Sequence, residues 1–351
     1  MKILLATKLS DNKLKEKTIP IIKTKIVTSL EIIRYKKGLS LSKTRYYTPH
    51  YLLAKNIVFQ LLAVFFLIPI RIILTRPDYL MAIYNIPYGI FMTLFGQFFK
   101  IPVIISLIGD DIHIYENKPF LWRFFINQWM KCHLITTTGT STRKLLLKNG
   151  LPLDKVIALP NPVDTAKFFP QKIAKKYEII TVSYLIKRKR IDLLLEAITK
   201  IKMENGYPKV CIIGDGPDKD HLIKYCNKFG IMENVEFLGH VKNVNDYLHK
   251  SKIFLLSSEA EGMPVAVLEA MATGLAVIAT NVGDTSDIIT DMENGILINP
   301  NDSENLLKKI KYLLENPSEI ERLGKNALNI RNTNSYNAIS SIWDRILEMR
   351  K

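Results

Sequence analysis

The sequence predicts an α/β protein of two doubly wound domains in tandem, and three observations predict it. The chain has 351 residues, 48% of them hydrophobic, beyond the limit of about 250–300 residues at which a single core stops growing. From about residue 78 onward, short β-type runs alternate with helical patterns, the rhythm of βα units and a parallel sheet. That rhythm breaks where Pro160, Pro162 and Pro170 punctuate a polar stretch, and it restarts at Tyr177.

In the first half the strand runs are 79–84, 103–108 and 156–159. A helix is expected over 143–149, with Ser141 placed to cap it and Gly150 to close it. In the second half the runs are 179–182, 210–213, 235–238, 253–256 and 276–279, each followed by a polar or glycine turn. The division is therefore an N-terminal domain over 1–160, a linker over 161–174 and a C-terminal domain over 175–330. In the remaining segment, 331–351, Ile339, Ile342, Trp343, Ile346 and Leu347 share one helical face, which is expected to pack back toward the N-terminal domain. Residues 10–48 are basic with weak periodicity and disclose no element.

Charge is distributed unevenly. Residues 1–165 carry 23 Lys/Arg against 9 Asp/Glu, and residues 1–76 alone carry 15 against 3. A basic surface of this kind suits an anionic membrane or a phosphorylated substrate. Nothing resembles a zinc finger, an RNP box or a basic zipper, so nucleic acid is not an expected partner. The uncharged run within 57–74 is about 14 residues long and interrupted by Pro69, whereas a membrane span needs about 20. A core or interfacial helix is expected there. Cys132, Cys211 and Cys226 form no metal-type spacing, and Met1–Ala6 lacks a secretory apolar region, which suits a reducing, cytoplasmic location.

Three junctions in the second half carry chemistry. Ser183-Tyr-Leu-Ile-Lys-Arg-Lys-Arg190 follows a strand and precedes a helix beginning near Ile191, so Arg188, Lys189 and their neighbours sit where a diphosphate is attracted. Gly214-Asp-Gly-Pro217 is a tight turn in the same kind of position. In Ser257-Ser-Glu-Ala-Glu-Gly-Met-Pro-Val265, Gly262 allows close backbone approach and Pro264 suits a first helical turn. The N–H groups near Met263 to Val265 would then face an anion. Glu261 and Glu269, eight positions apart, are poorly placed beside a phosphate unless they accept hydrogen bonds from sugar and ribose hydroxyls. The combination suggests a nucleotide sugar.

At these residues the sequence resembles the retaining GT-B glycosyltransferases, family 4 in particular, with their E-G-x-P-x-x-x-x-E frame at 261–269. Asn161-Pro-Val-Asp164, Gly239 after its strand, Leu193-Leu-Leu-Glu-Ala197 and Asn294-Gly295 fall where that family has similar residues. The resemblance implies the GT-B fold, two Rossmann-like domains facing an interdomain cleft, and transfer of a sugar to a saccharide or lipid-linked acceptor. It implies that Glu269 binds ribose, Glu261 contacts the transferred sugar and Lys189 neutralises the diphosphate. His240 and Val241 would lie along the nucleobase. It implies a nucleotide-diphosphate sugar as co-substrate, with no other cofactor and no metal. Gly109-Asp-Asp-Ile112 resembles the family's G-S-D-I, which makes Asp111 and the nearby His113 acceptor-side candidates. Two positions depart from the pattern: Tyr184 stands where a phosphate-binding arginine is usual, and Ile108 where a histidine is common. Lys187 or Arg188 is the available substitute for the arginine. Competing readings are a GT-B sugar-nucleotide epimerase and a noncatalytic sugar-nucleotide-binding protein. The resemblance and the charge together imply action in the cytoplasm, peripheral to the inner face of the cell membrane, in polysaccharide or glycolipid synthesis.

Overall fold

The computed structural model of the chain describes residues 1–35, 38, 40–48, 57–108, 118–201 and 206–349. The chain forms two units, Met1–Pro162 with Tyr336–Lys351, and Val163–Ser335. Each is a doubly wound parallel sheet with helices on both faces.

The sheet of the first unit runs β3-β2-β1-β4-β5-β6-β7. Its strands are β1 (Lys2–Thr7), β2 (Ser29–Ile33), β3 (Thr44–Tyr47), β4 (Tyr79–Ile83), β5 (Val103–Leu107), β6 (Leu134–Thr137) and β7 (Val156–Ala158). Strands covered on both faces read as continuous apolar runs, which is why β4 and β5 were visible in the sequence. Leu4 and Ala6 point to one face, where helices Ile57–Thr75, Ile90–Phe99 and Pro119–Met130 pack through Val64, Ile68, Met92, Phe125 and Trp129. Ile3 and Leu5 point to the other, against helices Asp11–Lys23 and Tyr336–Glu348, which contribute Leu14, Ile21, Ile339 and Trp343. Within the weakly periodic region 10–48 lie β2, β3 and a helix with Pro20 inside it. Ser141 is not a cap: Gly139 occupies the N-cap with extended backbone, so the helix already begins at Thr140.

The segment expected as a linker, 161–174, is partly built into the second unit. Val163 and Phe168 are buried in its core, and the Val163 N–H donates to the Asn334 carbonyl at 2.8 Å. The second sheet runs β10-β9-β8-β11-β12-β13. Its strands are β8 (Tyr177–Val182), β9 (Val210–Ile213), β10 (Val235–Gly239), β11 (Ser251–Leu256), β12 (Ala276–Thr280) and β13 (Ile296–Ile298). Strand order reverses between β8 and β11, and such a reversal opens a crevice at the carboxyl ends of the strands. All three cysteines are free and buried, and burial pushes the Cys132 and Cys226 thiols up to about 11 and Cys211 up to about 12.

Helix Ile57–Thr75 is tied to the first sheet by a polar contact. Arg71 Nη2 donates to Glu31 Oε2 at 2.9 Å and to the Tyr47 hydroxyl at 2.7 Å, with its guanidinium 3.7 Å from the Tyr47 ring centre. Both charged side chains are largely buried, at 14% and 9% exposure. Removing one partner leaves the other charge uncompensated, so Arg71→Met is expected to lower the stability of the first unit by about 3 kcal/mol in urea unfolding. An unchanged midpoint would show that the contact holds nothing.

The half-buried Lys17 donates to the side-chain oxygen of Asn161, and burial of its amine pushes it down to about 8. The unfolded chain keeps this proton up to the ordinary lysine range near 10.4. Between those values the unfolded state therefore binds more protons, and the contribution of Lys17 to stability rises with pH. Melting curves should show wild type gaining on Lys17→Met from pH 8 upward; a difference independent of pH would contradict this.

Candidate active site

Because β8 and β11 are neighbours, the loops that leave their carboxyl ends emerge side by side. The first runs from Ser183 to Arg190, and the second from Ser257 to Pro264. Between them, Lys189 Nζ donates to Glu261 Oε1 at 2.5 Å, with the two side chains 15% and 12% exposed. The Ser258 hydroxyl donates to the same oxygen at 2.6 Å, and the Thr280 hydroxyl holds the Ser258 carbonyl at 2.7 Å. The Ser257 hydroxyl lies 2.9 and 2.8 Å from the carbonyls of Lys189 and Arg190, and the Glu259 N–H donates to the Arg188 carbonyl at 2.8 Å.

These bonds sort the cations of the first loop by role. Arg190 takes a left-handed backbone, φ +51°, just ahead of helix Ile191–Thr199, and its guanidinium binds Asp192 and Glu259 at 3.0 Å. Its charge is spent on holding the loops. Arg188 donates to the Ala260 carbonyl at 3.2 Å, and Lys187 is exposed. Lys189 is the cation set against a carboxylate that still has acceptor capacity for hydroxyl donors.

Glycines let the neighbouring turns approach. Gly214 has φ +135°, and a Cβ there would lie 1.8 Å from the Ser183 carbonyl oxygen. The Ser183 hydroxyl is buried with no hydrogen-bond partner among the described residues. Such a group is costly unless something bound there satisfies it. Gly283, after β12, has φ +57°, and a Cβ there would fall 2.0 Å from the Glu261 carbonyl oxygen. The N–H of Asp284 donates to the Gly262 carbonyl at 2.9 Å, so this turn clamps the loop that carries Glu261.

Helix Val265–Ala272 starts one residue later than the sequence suggested, because Pro264 has ψ 111° and occupies the N-cap. Its first internal bond is from the Val267 N–H to the Pro264 carbonyl, so the N–H groups of Val265 and Ala266 lead toward the loop. Met263 is buried, and Glu269 is half-buried one turn beyond Val265. His240, exposed, and Val241, half-buried, directly follow β10 on the same carboxyl edge of the sheet. Asp111 and His113 lie outside the described residues. Among the described residues no three His, Cys, Asp or Glu side chains converge as a metal site. Ser258, Thr280 and Gly283 were not singled out from sequence: their bonds depend on strand adjacency, for which Gly283-Asp284 gives only a turn signal.

The region just described matches a known family. Residues 163–329 fit the family model described as glycosyl transferases group 1. That stretch is nearly all of the second unit and a little under half of the chain. A related protein is a component of the phosphatidylinositol N-acetylglucosaminyltransferase of Arabidopsis thaliana, 32% identical over 226 residues, which are 61% of this chain and 49% of the relative. Another, at 26% identity over 65% of this chain and 63% of the relative, is a Campylobacter jejuni N-acetylgalactosaminyltransferase named for a PP-undecaprenol-linked saccharide. The matched stretch thus spans about half to two thirds of these relatives. The structure of Anabaena Alr3699/HepE in complex with UDP superimposes with a TM-score of 0.82, at 15% identity, over 99% of this chain and all of that one. At that identity the likeness concerns the fold, which is GT-B.

Within the second unit, the Ser258 hydroxyl is the second donor to Glu261. A hydrogen bond to a charged acceptor contributes roughly 1.5–3 kcal/mol. Ser258→Ala is therefore expected to lower unfolding stability by about 2 kcal/mol; a neutral change would show that Lys189 alone positions Glu261.

Proposed function

We propose that the chain is a retaining glycosyltransferase that takes a hexose or related sugar from a nucleotide-diphosphate sugar and transfers it to a saccharide or lipid-linked acceptor. The single observation carrying this reading is the contact of Lys189 with Glu261 at the β8–β11 reversal, beside the start of helix Val265–Ala272. Diphosphate oxygens fit the Lys189 ammonium and the leading N–H groups of the helix. Glu261 accepts hydroxyls of the transferred sugar while keeping Lys189 in place, and Glu269 accepts those of the ribose. The orphaned Ser183 hydroxyl is available to the phosphates.

In this mechanism the bond from the anomeric carbon to phosphate oxygen breaks as the acceptor oxygen bonds to the same face of that carbon. The acceptor proton passes to the departing phosphate oxygen, so no dedicated base is required. Lys189 and the helix N–H groups stabilise the charge that develops on the diphosphate, which is electrostatic catalysis without a metal ion. The names of the relatives, one phosphatidylinositol-directed and one PP-undecaprenol-directed, support a lipid-linked acceptor. The UDP held by the Anabaena structure supports a nucleotide donor. The basic first unit suits work at an anionic membrane surface on the cytoplasmic side, in polysaccharide or glycolipid synthesis.

Calorimetric titration with nucleotide-diphosphate sugars, paired with transfer assays, tests the assignment. Glu269→Ala should weaken donor binding by about tenfold, the value of one or two hydrogen bonds. Lys189→Ala should lower turnover by about 100-fold or more, as loss of a charge-stabilising donor does. Parental affinity and rate in both variants would show the assignment to be wrong.

A further inference from the structure

The first unit has a face that its fold leaves uncovered. Helix Ile57–Thr75 buries Val64, Ile68 and Ile72 against the sheet, and no other residue of this helix is buried. Phe59, Leu62, Phe66, Ile70 and Ile73 recur at helical spacing on the opposite side and are all exposed. The next two helices on this face of the sheet do the same. Ile90–Phe99 exposes Leu94 and Phe98, and Pro119–Met130 exposes Phe120, Leu121 and Phe124. The first two helices pack on each other through Phe65, whose ring lies 5.2 Å from Phe91 and 5.0 Å from Phe95. Together they carry more exposed apolar surface than scattered hydrophobic residues on a soluble protein require.

The charge pattern names the occupant. None of the three helices contains an acidic residue, and exposed Lys100, Lys118, Arg123 and Lys131 lie on or flank the second and third. An apolar face with these cations on and beside its helices matches the boundary between acyl chains and anionic headgroups. The contacts of Ile57–Thr75 are those of a helix packed on the sheet: Val64, Ile68 and Ile72 belong to the core, and Arg71 is bonded to Glu31 and Tyr47.

We propose that these three helices form a membrane-docking face on which the first unit lies in the plane of an anionic bilayer, with Phe66, Phe98 and Phe120 inserted among the acyl chains. This deepens the membrane-surface reading above and rests on it for the side of the membrane. It changes the nature of the contact: insertion of apolar side chains supplies the binding, and the basic residues select anionic lipid.

The test uses the full chain and flotation with phosphatidylcholine vesicles, with and without phosphatidylglycerol, at low and high salt. Wild type should float with anionic vesicles and keep part of that binding at high salt, because apolar insertion is not screened. Phe66→Glu/Phe98→Glu/Phe120→Glu should bind at least about tenfold more weakly, while a nucleotide-diphosphate sugar still raises its melting point. In a separate Phe98→Trp variant, acyl-chain-brominated phospholipid should quench the tryptophan more than it does without bromine. Undiminished flotation of a folded triple variant, or absence of quenching, overturns the proposal. So does a salt-stable dimer broken by the triple variant without vesicle binding, which would make the face an interface between copies. Retention of the chain in membranes after alkaline carbonate extraction overturns it in favour of a span. A wild type that floats but takes no nucleotide sugar would sink the functional reading and leave the docking face standing.

Discussion

The Lys189–Glu261 contact is the constraint on which the candidate site depends. It forms because β8 and β11 are adjacent although 68 residues separate the end of the first (Val182) from the start of the second (Ser251). Desolvating two charges offsets most of their attraction, so a pair of this kind adds little net stability. What it provides is placement. A cation and a carboxylate are held at the sheet's open edge by Ser258, Thr280 and the Gly283 turn rather than by their own flexible stems. Binding groups fixed in advance lose less conformational freedom when a ligand arrives.

The two units use the same sheet plan for different ends. In the second, the loops at the strand reversal are stitched by hydrogen bonds, and Arg190 gives up its charge to join them. In the first, Arg71 pins helix Ile57–Thr75 to β2 and β3, and the helix's outward side remains apolar. In the proposed transferase, the second unit's polar groups meet the diphosphate, while the first unit presents an uncovered hydrophobic surface. A transferase with a water-soluble donor and a lipid-borne acceptor needs both.

Much of this was legible in the sequence, and the reasons are local. Strands buried on two faces announce themselves as apolar runs, as β4, β5, β11 and β12 do. The glutamate pair and the basic loop were readable because each sits within one short segment. β2 and β3 were hidden: Arg34, just past β2, and Glu31 and Arg45 interrupt their hydrophobic pattern, and buried Glu31 takes its partner, Arg71, from a helix distant in sequence. The same limit applied to Ser258 and Gly283. Their roles exist only once β11 and β12 lie side by side, a fact that no window of residues contains. Nor could spacing alone show that Lys189 and Glu261 would be partners, since the two were assigned to different parts of one ligand.

The most direct measurement is a crystal structure of the chain soaked with the nucleotide-diphosphate sugar that most raises its melting point. The account predicts phosphate oxygens within hydrogen-bonding distance of Lys189 Nζ and the N–H groups at the start of helix Val265–Ala272. It also predicts sugar hydroxyls on Glu261 and ribose hydroxyls on Glu269. A nucleotide bound away from the carboxyl ends of β8 and β11, or one that leaves Glu261 and Glu269 facing different surfaces, would contradict it.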